Sequence, residues 1–237
     1  MIGLLAAAAL IPGAAHHAAD ARPIVYVQAG HEAPREPGYL AQTGAPGEIA
    51  FTRRVSTAVE RKLRAAGVDA RHSPGRVTPL AAPAAVFVSI HHDTAQGRAA
   101  LAYALAGSGE NYYHGQGWGV PRSTPYPDSA PHRPGTTISA DVQARSRRLA
   151  VRMHTQYARV FTRANGARSG PVRMETPKGN PRMMRYYGFR RTNATARILI
   201  ETGAAGTDAA LLRRTDLIAT AISQAIVRHL KAEGQLK

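Results

Sequence analysis

The chain has 237 residues and a formal net charge of +16, from 31 Lys and Arg against 15 Asp and Glu. Hydrophobic residues make up 44% and charged residues 19%, which is ordinary globular usage and excludes an intrinsically disordered chain. Because the sequence has no cysteine, disulfides and thiolate catalysis are excluded, and any metal must bind His, Asp or Glu. This length favours one domain.

The N-terminal segment has the pattern of a secretory signal peptide. Met1 to Ala15 is rich in Ala and Leu, and Ala19-Asp20-Ala21 offers an A-x-A cleavage site. We therefore expect residues 1–21 to be a signal peptide and residues 22–237 to form the folded domain. No apolar run of 18 or more residues follows the leader, so the pattern predicts no transmembrane segment.

The first predicted elements are a strand and a helix. Ile24 to Val27 is a strand-forming run, and His31 follows just past its carboxyl end. A helix is predicted from near Glu48 to a stop at Gly67. Its apolar residues recur at helical spacing, at Phe51, Val55, Ala58, Val59, Leu63 and Ala66.

Two later strands also end in polar residues. Ala85 to Ile90 is a nearly continuous apolar run, typical of a strand buried on both faces, and it is followed by His91 and His92. Arg197 to Ile200 is followed in the same way by Glu201. A further strand is predicted to start near Ala100.

Helices are predicted from about Ser139 to Ala164 and from about Asp208 to Leu230. Two segments, 107–135 and 166–188, lack periodicity and are predicted to be irregular. The first of these carries Trp118, whose ring is suited to stacking on a ligand, to packing over a cleft or to packing within the loop itself. The alternation of strands and helices predicts a single α/β domain with a mostly parallel twisted sheet flanked by helices.

Ligands of parallel α/β sheets gather at the carboxyl ends of the strands, which is where the pattern places His31, His91 and Glu201. Two His nitrogens and one carboxylate, with a water, make a catalytic zinc shell, and a further Glu can take a proton. Neighbours in a strand point to opposite faces, so one residue of the pair His91 and His92 faces the site.

Five short motifs stand out along the chain: IVYVQAGH at 24–31, GE at 47–48, VSIH at 88–91, SRRLA at 146–150 and ILIETG at 198–203. Together they resemble the zinc-dependent N-acetylmuramoyl-L-alanine amidases, hydrolases of bacterial peptidoglycan. The resemblance covers about residues 23 to 232. In the loop after His31 the chain has Glu-Ala-Pro where the family usually has Gly-Gly and an Asp, so this loop must run differently.

The resemblance implies a function and a set of site residues. His31, Glu48 and His91 would bind Zn²⁺, and Glu201 would be the catalytic proton acceptor. The bond cut would be the amide between N-acetylmuramic acid and the L-alanine of the stem peptide, by zinc-activated water. The protein would be exported to the periplasm or the cell exterior. His92 stays an alternative ligand to His91.

Other interpretations follow from the same residues. Glu48 alone could be an early helix carboxylate favoured by the helix dipole. Another zinc peptidase of wall peptides would use similar ligands. A non-catalytic basic protein that binds wall or nucleic acid is a further alternative, since residues 141–197 contain 14 Lys and Arg against two acids. No nucleic-acid-binding motif is present, so we expect peptidoglycan rather than nucleic acid as the partner.

The remaining histidines and nearby acids have ordinary interpretations. We expect hydrogen-bonded surface or core roles for His72, His114, His132, His154 and His229. Glu32 and Glu36, in the loop after the first proposed ligand, are candidates for contacting the ligands, but we expect them to be solvated. Arg168 and Arg185 are candidates for contacting substrate carboxylates.

Overall fold

The computed structural model describes residues 22–32, 44–74, 83–107, 137–165 and 170–237. In this part of the chain the strands are β1 (Ile24–Ala29), β2 (Asp69–Pro74), β3 (Pro83–Asp93), β4 (Ala100–Tyr103), β5 (Arg173–Met174) and β6 (Asn193–Ala204). The helices are α1 (Glu48–Ala65), α2 (Ala140–Asn165), α3 (Pro181–Met184), α4 (Tyr187–Arg191), α5 (Ala209–Leu212) and α6 (Thr215–Ala232).

The strands form one sheet in the order β2-β1-β3-β6-β4-β5. The first four strands in this order run parallel to one another, whereas β4 pairs antiparallel with β6 and parallel with β5. A parallel pair needs a long crossover, and α1 provides it between β1 and β2. The predicted α/β fold with a mostly parallel sheet is confirmed.

One face of the sheet, which we call the helical face, is covered by α1, α2 and α6. The central helix is α6, which contacts both of the others. Alternate strand residues on this face are apolar and buried: Val25, Val27, Val86, Val88, Ile90, Ile198 and Ile200. They share a core with helix residues that include Phe51, Val55, Leu149, Met153, Ile222 and Ile226.

The opposite face, which we call the site face, has a smaller core. Its apolar strand residues Tyr26, Phe87 and Leu199 pack with Met184 of α3 and Phe189 of α4. Further along the same strands, toward their carboxyl ends, the residues on this face are polar. They are Gln28 on β1, Ser89 and His91 on β3, and Glu201 on β6.

The strands that carry the site are longer than the apolar runs predict. β3 and β6 extend past Ile90 and Ile200, so His91, His92 and Glu201 lie inside the strands rather than after them. The extension is held by the register of the two strands, in which His91 lies beside Glu201. Backbone pairing, which a hydropathy pattern does not report, sets these ends.

The last helix is in two parts, α5 and α6, whereas the sequence predicts one helix from Asp208 to Leu230. The turn between the parts contains Arg213 and Arg214. The prediction of one helix is wrong. Leu211 in α5 and Ile218 in α6 pack in the same core. The apolar spacing therefore continues across the break and hides it.

Two strands are missing from the predicted elements. β2 is an edge strand whose Arg71 and His72 are exposed, so its apolar alternation is weak. The segment 166–188 is predicted to be irregular, but its described part holds β5 and α3, so that prediction is wrong there. β5 is held by backbone bonds, such as that from the Glu175 N–H to the Leu101 carbonyl at 2.8 Å.

Several predicted features fall on residues outside the described ranges. These are the signal peptide at 1–21 and, apart from Gly107, the loop 107–135 with Trp118. Among the described helices, none has the length and apolar character needed to cross a membrane.

Candidate metal centre

His31 follows β1 at the carboxyl edge of the sheet. Its backbone φ is 59°, in the left-handed region that residues other than glycine rarely adopt. The preceding residue, Gly30, donates its N–H to the Ile90 carbonyl at 2.9 Å, which fixes the point where the chain leaves the sheet. A side chain on Gly30 would overlap the ring of His91, so glycine here lets the two histidines approach.

Glu48 is the first residue of α1, and its carboxylate points back over the sheet edge. Its Oε2 accepts the Ala45 N–H at 2.8 Å, and its Oε1 accepts the His92 N–H at 3.3 Å. Burial alone raises the pKa of Glu48, but the hydrogen bond from His91 and the charges of His91 and His31 lower the pKa to about 2. The carboxylate is therefore an anion, as a metal ligand must be.

His91 completes the cluster from β3. Its Nδ1 lies 3.1 Å from Glu48 Oε1, and His31 Nε2 lies 3.7 Å from the same oxygen. One ligand atom from each of the three residues lies within 4.8 Å of the others. Two imidazoles and one carboxylate are a donor set that suits Zn²⁺ and leaves a coordination position for water. In the described part of the chain, a candidate metal site of these three residues is therefore present.

His92 does not join this cluster. It lies on the helical face, where its ring meets Phe51 edge to face with centroids 5.2 Å apart. Its Nδ1 is 3.0 Å from the backbone carbonyl of Asp93. Of the two adjacent histidines, only His91 points toward Glu48.

Glu201 lies beside His91 in the sheet and on the same face. Its Oε2 is buried and has no hydrogen-bond partner among the described residues. Burial raises the pKa of Glu201 to about 8, the negative charges of Glu48 and Asp93 add to the increase, and His91 opposes it. A buried carboxyl oxygen without a partner, next to the donor cluster, is suited to exchange a proton with a substrate or a water.

The sequence analysis missed two further side chains that reach the site. Tyr186 meets the His91 ring edge to face at 5.8 Å, and its hydroxyl donates to Gln28 Oε1 at 2.6 Å. Strand alternation could have placed Gln28 on the site face, since it is two residues after Tyr26. No local signal marks Tyr186, because it lies far along the chain in a segment without periodicity.

The other described histidines and acids lie in separate environments. His154 Nε2 lies 2.9 Å from the Val172 carbonyl, and His229 is buried beside Arg152. His72 forms ion pairs with Glu32 at 2.6 Å and with Glu60 at 2.9 Å. The expectation that Glu32 is solvated is wrong, since its side chain is only 14% exposed and is held by Arg53 and His72. His114, His132 and Glu36 lie outside the described residues.

The basic segment 141–197 does not form one surface. Arg147 and Arg159 are exposed on α2, whereas Arg197 is 3% exposed and donates to the carbonyls of Ala194 and Phe189. Of the two arginines proposed to contact substrate, Arg185 is exposed, and Arg168 lies outside the described residues.

Three solved amidase structures share this fold. Ami1 from Mycobacterium smegmatis aligns with a TM-score of 0.55 at 17% identity, over 89% of this chain and 97% of that chain. AmiC2 of Nostoc punctiforme aligns with a TM-score of 0.51 at 16% identity, over 88% of this chain and 97% of that chain. An amidase from Clostridium difficile 630 aligns with a TM-score of 0.50 at 15% identity, over 90% of this chain and 99% of that chain. Among curated proteins, no sequence matches this chain.

The family model described as N-acetylmuramoyl-L-alanine amidase matches residues 25–230. The match runs from β1 to near the end of α6, so it spans the sheet, its covering helices and the whole candidate metal centre. The chain therefore belongs to the N-acetylmuramoyl-L-alanine amidase family, and its function is that of a peptidoglycan amidase.

Proposed function

We propose that this amidase is zinc-dependent, with His31, Glu48 and His91 as the metal ligands and Glu201 as the catalytic residue. The bond cut is the amide between N-acetylmuramic acid and the L-alanine that begins the stem peptide. The observation that carries the proposal is the convergence of three ligand atoms within 4.8 Å beside a buried carboxyl oxygen that has no partner among the described residues.

The residues of this cluster fit a zinc ion better than they fit Mg²⁺ or Ca²⁺. Imidazole nitrogens and one carboxylate are borderline ligands, whereas Mg²⁺ and Ca²⁺ favour sites made of oxygen atoms. When bound, zinc supplies a Lewis acid that polarises the scissile carbonyl and makes water more acidic. Glu48 supports the site from the N-terminus of α1, where the helix dipole favours its negative charge.

Glu201 has the role of moving the proton. Its carboxylate accepts a proton from the attacking water and then donates it to the nitrogen of the leaving L-alanine, which is a poor leaving group unless protonated. Its place beside His91 keeps it at the carboxyl edge of the sheet with the ligands. Its burial raises its proton affinity, which favours the step in which it takes the proton from the water.

The proposal is tested by digesting purified peptidoglycan with the full chain, with and without a chelator, and weighing the released fragments by mass spectrometry. We expect intact stem peptides that begin with a free L-alanine, and glycan strands whose lactyl groups end in a carboxylate. Chelation should stop the release, and added zinc should restore it.

Three other results would contradict the proposal. Cuts within the stem peptide would indicate a different peptidase of wall peptides. A protein that holds no metal and releases no fragments would indicate a non-catalytic wall-binding role. Release that continues in full after complete metal removal would overturn the zinc dependence.

We further propose that residues 1–21 are a signal peptide and that the amidase acts in the periplasm or outside the cell. The substrate lies outside the cytoplasmic membrane, which supports export. N-terminal sequencing of the protein recovered from outside the cytoplasm should begin at Arg22. Recovery only of chains that still carry residues 1–21 inside the cell would contradict the proposal.

A further inference from the structure

The side chains of Gln28, Ser89 and Tyr186 form a hydrogen-bonded chain behind His91, on the side away from Glu48. Ser89 Oγ lies 3.0 Å from His91 Nε2, whereas Glu48 Oε1 lies 3.1 Å from His91 Nδ1. The two nitrogens of the ring therefore have separate partners. Nδ1 faces the ligand cluster, and Nε2 faces the hydrogen-bonded chain.

The direction of the hydrogen bonds in this chain decides which ring nitrogen carries hydrogen. The Ser89 hydroxyl donates to Gln28 Oε1 at 2.6 Å, and the Tyr186 hydroxyl donates to the same oxygen at 2.6 Å. A serine hydroxyl has one hydrogen, and that of Ser89 is directed at Gln28. Its oxygen therefore meets His91 Nε2 as an acceptor, so Nε2 carries a hydrogen and Nδ1, which faces Glu48, is the nitrogen left to bind a metal.

We propose that Gln28, Ser89 and Tyr186 are positioning residues that hold His91 in the tautomer and orientation required to bind zinc through Nδ1. This inference rests on the proposed function, because it takes His91 as a zinc ligand. A ligating histidine is commonly oriented by the hydrogen bond that its other nitrogen donates. Here an uncharged serine receives that bond, and Gln28 sets the direction of the serine.

Burial strengthens the effect that these hydrogen bonds have on the orientation of His91. Gln28 and Ser89 are both fully buried, so water does not readily replace the serine hydroxyl. Without it, the Nε2–H group of His91 is left in a buried site without an acceptor. Tyr186 also fixes the plane of the ring through its edge-to-face contact, at an interplanar angle of 84°.

Tyr186 connects the metal site to a distant part of the chain. It is the residue that precedes α4, and it packs against Phe189 with ring centroids 5.6 Å apart. Its hydroxyl shares the Gln28 oxygen with Ser89, and the two hydroxyl oxygens are 3.3 Å apart. The position of α4 and the orientation of His91 are therefore coupled both through the shared Gln28 oxygen and through the contact between the Tyr186 and His91 rings.

The first test measures the zinc affinity of the full chain by competition with a chromogenic chelator. We expect Ser89→Ala to weaken zinc binding by about 10- to 100-fold. Ser89→Thr, which keeps the hydroxyl, should restore most of the affinity. The matched control is Ser56→Ala, which removes a buried hydroxyl that has no partner among the described residues, and it should leave the affinity unchanged. Tyr186→Phe should give a smaller loss, because Ser89 can still donate to Gln28.

The second test reads the tautomer directly, from long-range ¹H–¹⁵N spectra of the His91 ring in the zinc-loaded chain. We expect hydrogen on Nε2 and zinc on Nδ1. Zinc on Nε2, or unchanged zinc affinity in Ser89→Ala, would overturn the inference while leaving the metal centre intact. Failure of the wild-type chain to bind zinc at His91 would overturn the proposed metal centre itself. If Ser89→Ala does not fold, unchanged affinity in Tyr186→Phe together with zinc on Nε2 in the wild-type chain would equally overturn the inference.

Discussion

The two faces of the central strands have different chemistry, although both belong to the same strands. On the helical face, β3 and β6 carry Val88, Ile90, Ile198 and Ile200, all fully buried under α1, α2 and α6. On the site face, the same strands end in polar side chains with a smaller apolar core behind them. One face supplies most of the buried apolar surface, so the other can hold buried polar groups that cost stability.

The adjacent residues His91 and His92 show this difference at its sharpest. They share one strand and the same residue type, yet only His91 meets Glu48 through its side chain. His92 packs on Phe51 in the helical face. Residue type alone therefore does not make a ligand here, because the face on which the strand presents the side chain decides its partners. Substitutions on each face should separate the two by experiment.

The largest effect is expected from the histidine pair. His91→Ala removes one of three proposed ligands and should weaken zinc binding by more than about 100-fold. Removing a ligand lowers zinc affinity more than removing a side chain that only orients a ligand. His92→Ala is the matched control and should keep zinc while lowering the melting temperature. Zinc content after dialysis and thermal unfolding measure the two effects. Zinc retained in His91→Ala and lost in His92→Ala would reverse the assignment of the faces.

Glu201→Gln should separate chemistry from metal binding within the site face. The amide keeps the shape of the side chain but accepts no proton, so turnover should fall by roughly 10²- to 10⁴-fold with zinc content unchanged. Release of stem peptide per bound zinc is the measurement. A folded Glu201→Gln chain that has lost its zinc would identify Glu201 as a ligand instead.

Glu201→Gln should also change stability in the chain without metal. Burial raises the pKa of Glu201 from 4.5 to about 8, so the folded state binds this proton more tightly than the unfolded state. Stability therefore falls as pH rises from 4.5 through about 8, and Gln removes this loss. The metal-free variant should melt higher than the metal-free wild type at about pH 8, and by a smaller margin at about pH 5. An equal margin at both pH values would contradict the raised proton affinity of Glu201.

A smaller effect is expected on the helical face beside the site. The buried Tyr157 hydroxyl donates to the Thr202 carbonyl at 2.6 Å, one residue beyond Glu201. Tyr157→Phe should lower the free energy of unfolding by about 1 kcal/mol, and it should leave turnover per folded molecule nearly unchanged. Urea unfolding and initial rates measure the two. A large loss of turnover without loss of stability would show that this face also positions the catalytic carboxylate.

The smallest effect is expected at His72, at the edge of the sheet. Hydrogen bonds that the His72 ring donates to Glu32 and Glu60 raise the pKa of His72 from 6.5 to about 9, against the opposing effect of burial. Because the folded-state pKa is higher, this stabilisation is complete below pH 6.5 and is lost as pH rises through about 9. His72→Gln should therefore lower the melting temperature more at about pH 6 than at about pH 9.5. A difference that grows with pH would contradict the assignment.

Much of the site could be predicted because its signals are local. Apolar runs followed by His or Glu mark the carboxyl-terminal parts of strands, and parallel strands bring these parts to one edge of the sheet. Glu48 could be located at the start of an amphipathic helix, but its role as a ligand was predicted only from the resemblance to the amidases. The helix break after α5 and the edge strand β2 could not be located, because they depend on packing and pairing with distant residues.

The alternation of strands and helices and the residue types at the strand ends are set by the sequence alone, since both follow from patterns within a few neighbouring residues. Tertiary structure decided which histidine faces Glu48. Because β3 has apolar residues on both faces, its sequence does not show which face packs against the helices and which faces the site. Tertiary structure also decided that Gln28, Ser89 and Tyr186 meet. Ser89 lies 61 positions from Gln28 and 97 from Tyr186, and only the sheet order and the placement of α4 bring the three within hydrogen-bonding distance.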